Sequence, residues 1–186
     1  MYKKILLFVY DSFAEFEIAV LVTALAGTGH TLTTVGPTAR PVTSTGRLTI
    51  QPDEAVTAIT ADAYDALILP GGEPASLFEY PELTRLIQAM HAQGKLLAAI
   101  CAGPALLANA GVLDDARYTV SLTPDEAAHA AIVGRGTRLA ETLVTDANIV
   151  TATGSSYLAF AEEILRHLAE EPEVTPLTYF RQPSLD

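Results

Sequence analysis

The sequence predicts a single α/β domain built on an open, mostly parallel β-sheet with helices on both faces. Three observations predict it. The apolar runs at 5–10, 65–69 and 96–100 are continuous rather than alternating, the pattern of strands covered on both faces. Stretches with helical spacing separate them, so strand and helix alternate. Finally, the three runs end in Asp11-Ser12, Pro70-Gly71-Gly72 and Cys101-Ala102-Gly103, turns at the strand ends where open α/β sheets gather their sites. The 186 residues, 49% apolar and 18% charged, suit one packed core.

Taken in order, 5–10 is expected to be the central strand. The segment 14–26 puts Ile18, Val22 and Leu25 on one helical stripe, and Gly27-Thr28-Gly29 stops it. β-branched residues make 31–35 the second strand. Pro41-Val42-Thr43 and Leu48-Thr49-Ile50 flank Ser44-Thr45-Gly46 as a small hairpin. After the strand at 65–69, the helix 82–93 carries Leu83, Leu86, Ile87 and Met90 and closes at Gly94. Beyond Gly111, short strands are expected at 117–122, 142–145 and 149–153, with a bend at Gly134-Arg135-Gly136. A last helix at 155–169 is expected to bury Tyr157, Ala161, Ile164, Leu165 and Leu168, and 170–186 reads as a C-terminal extension.

Charge and composition exclude several functions. A net charge of −11 argues against nucleic-acid and anionic-membrane partners and for a small-molecule one. No stretch approaches the about 18 consecutive apolar residues of a membrane span. One cysteine permits no internal disulfide, and the start of the chain has neither the apolar length nor the cleavage site of a signal peptide, so a cytoplasmic location is expected. No pair among His30, His91, His129, His167 and Cys101 has ligand spacing, so no metal is expected, and no cofactor.

The stretch 96–108 carries the chemistry. An apolar run leads into Cys101, and Ala102-Gly103-Pro104 opens a second apolar stretch with helical spacing, which reads as strand, tight turn, helix. A thiol at such a corner faces the open amides of the following helix, which is expected to ease thiolate formation. The competing reading is a buried core cysteine, packed as a small hydrophobe.

Leu69-Pro70-Gly71-Gly72, followed by Ala99-Ile100-Cys101-Ala102-Gly103-Pro104, with an acidic cluster after the first strand, resembles the DJ-1/PfpI superfamily over nearly the whole chain. The phrases 10–17 and 41–46 look closest to its little-characterised, glutamine-amidotransferase-like bacterial branch. The resemblance implies a flavodoxin-like, class I glutamine-amidotransferase-like sandwich with Cys101 in a nucleophile elbow. It also implies a protonated glutamate from the first helix donating to the sulfur: Glu17 first, Glu15 second. A carboxyl group beside a forming thiolate and away from water should have a raised pKa. The plainer reading of both glutamates is a solvated first helical turn. Gly71, Gly72 and Ala102 would offer backbone N–H groups to an anionic oxygen, on a substrate or on an oxidised Cys101.

Departures from the family pattern bear on activity. Position 102 is alanine and 151–156 contains no histidine, which counts against peptidase and amidotransferase chemistry. The stretch 119–123, where glyoxalase-type members carry a histidine, offers Ser121. His30, His91 and His167 read as surface residues, while His129 could reach the site from a helix there. Gly154 and Ser155 complete the expected pocket. The leading expectation is an enzyme of hydrolase, hydratase or glyoxalase type, in which Cys101 attacks a small electrophile and Glu17 moves the proton. The alternatives are a redox-sensing or stress-response protein whose Cys101 oxidises to sulfinic acid, and a binding scaffold. A homodimer is implied by the resemblance.

Overall fold

The computed structural model describes residues 1–169, 177, 180 and 181. Its main sheet has seven strands. In chain order the elements are β1 (Lys4–Phe8), α1 (Phe16–Ala26), β2 (Thr31–Gly36), β3 (Val42–Thr43), β4 (Thr49–Ile50), β5 (Glu54–Ala55), β6 (Ala66–Leu69) and α2 (Pro81–Ala92). There follow β7 (Leu96–Ile100), α3 (Pro104–Asn109), β8 (Arg117–Tyr118), β9 (Thr137–Arg138), β10 (Leu143–Asp146), β11 (Ile149–Ala152) and α4 (Tyr157–Leu168). The sheet runs β10-β11-β7-β6-β1-β2-β5, parallel throughout except where β10 meets β11.

The continuous apolar runs behave as their composition requires. All residues of β6, β7 and β11 are buried, because α1 and α4 pack together against one side of the sheet while α2 and α3 pack against each other and against β7. The middle of the sheet is β6, not the first strand, because β2 and β5 add only two strands beyond β1. The small hairpin forms as β3 and β4.

Three expectations change. The strand expected at 117–122 shrinks to β8, which pairs in parallel with β9, since residues 119–123 leave the ladder to run past the elbow. α4 starts at Tyr157 after a 3₁₀ turn at Gly154–Ser156. Tyr157 itself is 38% exposed rather than buried: its ring meets the half-exposed Phe16 edge-on, with centroids 6.2 Å apart. The expected C-terminal extension lies outside the described residues except at three positions, of which Leu177 is buried in the core and Arg181 pairs with Glu162.

Candidate active site

The corner between β7 and α3 is strained as a nucleophile elbow requires. Cys101 has φ +60°, the left-handed region that a residue with a Cβ adopts at a cost. Neighbouring backbone fixes it there: its N–H donates to the Ala152 carbonyl at 2.9 Å, and its carbonyl accepts the Ser121 N–H at 2.9 Å. Gly103 turns back on the strand, its N–H donating to Ile100 O at 2.8 Å, and Pro104 opens α3 where its missing N–H is not needed.

Two glycines make room for the side chain. A Cβ built on Gly71 would stand 2.7 Å from the Cβ of Cys101 and 2.9 Å from Glu17 Oε2. One built on Gly154 would stand 3.0 Å from the sulfur and 3.4 Å from Glu17 Oε1. Cys101, Glu17, Gly71 and Gly154 therefore share one small space.

Glu17, in the first turn of α1, is 1% exposed and accepts the Gly71 N–H at Oε2, 2.7 Å away, while its carboxyl hydrogen-bonds Cys101. Burial raises its pKa to about 7, against the opposing pull of the Cys101 and Gly71 hydrogen bonds. The solvated reading of this residue is overturned. Glu15 points elsewhere, accepting from Thr45 Oγ1 at 3.0 Å and the Gly46 N–H at 3.1 Å, so it pins the hairpin.

The thiol itself reverses an expectation. Burial and the charge of Glu17 push Cys101 up to about 12, although the Ala102 N–H hydrogen-bonds the sulfur and pulls the other way. α3 is only six residues long, too short for its dipole to outweigh a desolvated acid in contact. Proton loss from this pair thus begins at the carboxyl, near neutrality.

The backbone donors divide. Gly71 is taken by Glu17, whereas Gly72 has no acceptor for its N–H among the described residues. Gly72 has φ +116°, and a side chain there would collide with the Ser12 carbonyl, so only glycine fits. The Ala102 N–H is turned to the Cys101 sulfur, which leaves Gly72 as the N–H of the three without an acceptor among the described residues.

Ser121 occupies the place where the resemblance led us to look for a histidine. Its Oγ accepts the Gly154 N–H at 3.1 Å, so it ties the β11 end to the segment 119–123 that runs beside Cys101. Ser155 is exposed beside Gly154. His129, half-buried in a 3₁₀ turn at Ala127–Ile132, makes no side-chain hydrogen bond or ion pair among the described residues. Of the other histidines, His167 is exposed as expected, lying against Glu163, while two are half-buried: His30 Nδ1 accepts the Lys3 N–H, and His91 Nδ1 is buried with no hydrogen-bond partner among the described residues. A residue the sequence did not single out is Tyr10, 1% exposed, whose hydroxyl donates to the carbonyls of Pro70 (3.2 Å) and Gly71 (2.8 Å) and so braces the Gly-Gly turn. A surface depression of about 520 Å³ between α2 and residues 56–62 contains none of these side chains. Among the described residues no cluster of three or more His, Cys, Asp or Glu could hold a metal, and no helix is long and apolar enough to cross a membrane.

The chain is 30% identical over 177 residues to a Bacillus subtilis (strain 168) protein named as the uncharacterized protease YoaZ, covering 89% of this chain and 83% of that one. It is 30% identical over 166 residues to the Caenorhabditis elegans glutathione-independent glyoxalase DJR-1.2, covering 87% and 85%. Among solved structures, the DJ-1 superfamily protein Atu0886 from Agrobacterium tumefaciens superposes with a TM-score of 0.78 at 32% identity, over 89% of both chains. The DJ-1/PfpI family model matches residues 3–167, and the chain belongs to that family.

Proposed function

We propose that the chain is an enzyme in which Cys101 adds to the carbonyl carbon of a small electrophile, with Glu17 as the proton carrier. The observation that supports this best is the Glu17 carboxyl, buried and held by the Gly71 N–H against the Cys101 sulfur. Once the pair has lost its first proton, one proton remains between sulfur and carboxyl. In the arrangement where the carboxyl keeps it, the sulfur is a thiolate beside a neutral acid. As the C–S bond forms, the carbonyl π pair moves to oxygen, where backbone N–H groups such as that of Gly72 receive it. The Glu17 proton then neutralises that oxygen, giving a hemithioacetal from an aldehyde and leaving a carboxylate able to act as base in the next step.

The glyoxalase name of the Caenorhabditis elegans relative makes small dicarbonyl aldehydes the first substrates to test. Turnover should fall to background in Cys101→Ala and by about a hundredfold or more in Glu17→Gln. Full turnover by Cys101→Ala would overturn the reading. The raised thiol counts against the redox-sensing alternative, which needs a thiolate-rich cysteine at rest. The reading includes the homodimer implied by the resemblance, which sedimentation velocity checks.

A further inference from the structure

The Pro70-Gly71-Gly72 turn presents two consecutive N–H groups, and one buried hydroxyl holds the carbonyl end of both peptides. The Pro70 carbonyl and the Gly71 N–H belong to one peptide unit, the Gly71 carbonyl and the Gly72 N–H to the next. Both units are trans, so in each the N–H points away from the carbonyl. Tyr10 Oη donates to the Gly71 carbonyl at 2.8 Å and lies 3.2 Å from that of Pro70, sharing its proton between them. Opposite those carbonyls, the Gly71 N–H meets Glu17 Oε2 at 2.7 Å, and the Gly72 N–H has no acceptor among the described residues. A rotation of either peptide away from the hydroxyl therefore also re-aims an N–H.

Tyr10 is suited to hold this orientation. It is 1% exposed, and its ring packs against Phe8 and Phe13, with centroids 6.1 and 6.5 Å away. Burial, and after it the charges of Glu17, Cys101 and Glu73, raise its pKa, so the hydroxyl stays a donor through the neutral range. A hydrogen bond to a carbonyl also polarises its peptide, which strengthens the N–H at the far end as a donor. The turn has further ties, from the Ala14 N–H to the Gly71 carbonyl at 3.0 Å and from the close approach of Gly72 to Ser12 and Phe13. These hold the chain in place, while the hydroxyl is what both peptides share.

We propose that Tyr10 is a positioning residue: its hydroxyl sets the two peptides of the turn so that the Gly71 N–H fixes the Glu17 carboxyl beside Cys101 and the Gly72 N–H faces the oxygen of the bound electrophile. It acts through the backbone. The Gly72 half of the inference rests on the function proposed above, and the Gly71 half does not.

The test compares the wild type with Tyr10→Phe, which keeps the ring and removes the hydroxyl. Cys101 is the chain's one cysteine, so its alkylation by iodoacetamide is read against pH without a substrate. In that reaction the thiolate displaces iodide and forms a thioether, the thiol proton passing to water. The lower inflection of the wild-type profile marks the first proton lost from the Cys101–Glu17 pair, and Glu17→Gln abolishes it. With the Gly71 N–H no longer aimed at the carboxylate, that inflection should rise by about one pH unit in Tyr10→Phe. The Gly71 amide proton, followed by NMR, should shift downfield across the wild-type inflection and lose most of that shift in the variant. On a small dicarbonyl aldehyde, Tyr10→Phe should lower kcat by about tenfold or more and leave KM within about twofold, because the oxyanion exists only after binding. A hydroxyl with a merely structural role would lower the urea midpoint and leave the inflection where it is. An unmoved inflection or an unchanged kcat overturns the inference. So does a variant that fails to fold, since the hydroxyl would then hold the fold and not the site. If the inflection moves but the wild type turns over no dicarbonyl, the proposed function and the Gly72 half fall together, and the hold of Tyr10 on Glu17 stands.

Discussion

The buried Glu17 carboxyl makes a quantitative prediction about stability that is independent of any substrate. Its pKa rises on folding from 4.5 to about 7, so between these values the native state holds a proton that the unfolded chain has lost. The sign follows from that. A group that binds protons more tightly when folded stabilises the fold at low pH, and this contribution is lost as the pH rises. Glu17→Gln keeps the shape and the acceptor for the Gly71 N–H but cannot ionise. The variant should therefore match the wild type near pH 4, below the unfolded pKa, and be the more stable protein at pH 8. From the two pKa values, the stability difference between variant and wild type should grow by about 2.5 kcal/mol between pH 5 and pH 8. For a chain of this size that corresponds to a relative melting shift of roughly 5 to 10 °C. Urea unfolding of both proteins at the two pH values measures it, and the variant cancels the pH response of every other group. A difference that stays constant from pH 5 to pH 8 would refute the raised carboxyl, and with it the acid role assigned to Glu17.

Other perturbations address the elbow. Cys101→Gly should be more stable than Cys101→Ala by about 1 kcal/mol, because φ +60° suits glycine and strains alanine; equal unfolding midpoints would show that the turn is not strained. Gly154→Ala should slow turnover by about tenfold to a hundredfold, since its Cβ would stand 3.0 Å from the Cys101 sulfur and displace it; an unchanged kcat/KM would mean that the sulfur does not need that space. Ser121→Ala removes the acceptor of the Gly154 N–H and should destabilise by about 1 to 2 kcal/mol in urea unfolding, a loss that Ser121→Thr restores.

The parts of this structure that could be read from the sequence are those set by local pattern. Continuous apolar runs gave β6 and β7, and a small-residue turn ahead of Pro104 gave the elbow, because backbone sterics allow few ways to pass from a buried strand straight into a helix. The acid partner came from resemblance, since Glu15 and Glu17 are equivalent by composition and only the twist of α1 decides which one turns inward. The tie between Ser121 and Gly154 joins residues 33 apart in sequence, and nothing in either neighbourhood announces it. Tyr157 falls on the apolar stripe of α4 by spacing, yet it lies in the first turn, where α4 meets Phe16 at the surface instead of the sheet. The thiol's acidity was misjudged because a local pattern shows the helix end but not the desolvation or the carboxyl brought in from α1.

That misjudgement bears on how the site works. A histidine base beside a cysteine forms an ion pair at rest, and the two charges stabilise each other. Here the partner is itself an acid, so the resting pair carries a net negative charge instead of two cancelling ones, and burial raises both pKa values. In the proposed function, the consequence is a nucleophile suppressed until a substrate arrives with a polarised carbonyl, because only the developing oxyanion, received by backbone N–H groups such as that of Gly72, would give the shared proton somewhere else to go. Glu17 is suited to that duty by the same desolvation that makes it costly to the fold: a carboxyl of ordinary acidity would hold no proton to deliver at neutral pH. On the proposed function, the stability lost to Glu17 above neutrality and its capacity to carry a proton for Cys101 share one cause, and a substitution that recovers the first should forfeit the second.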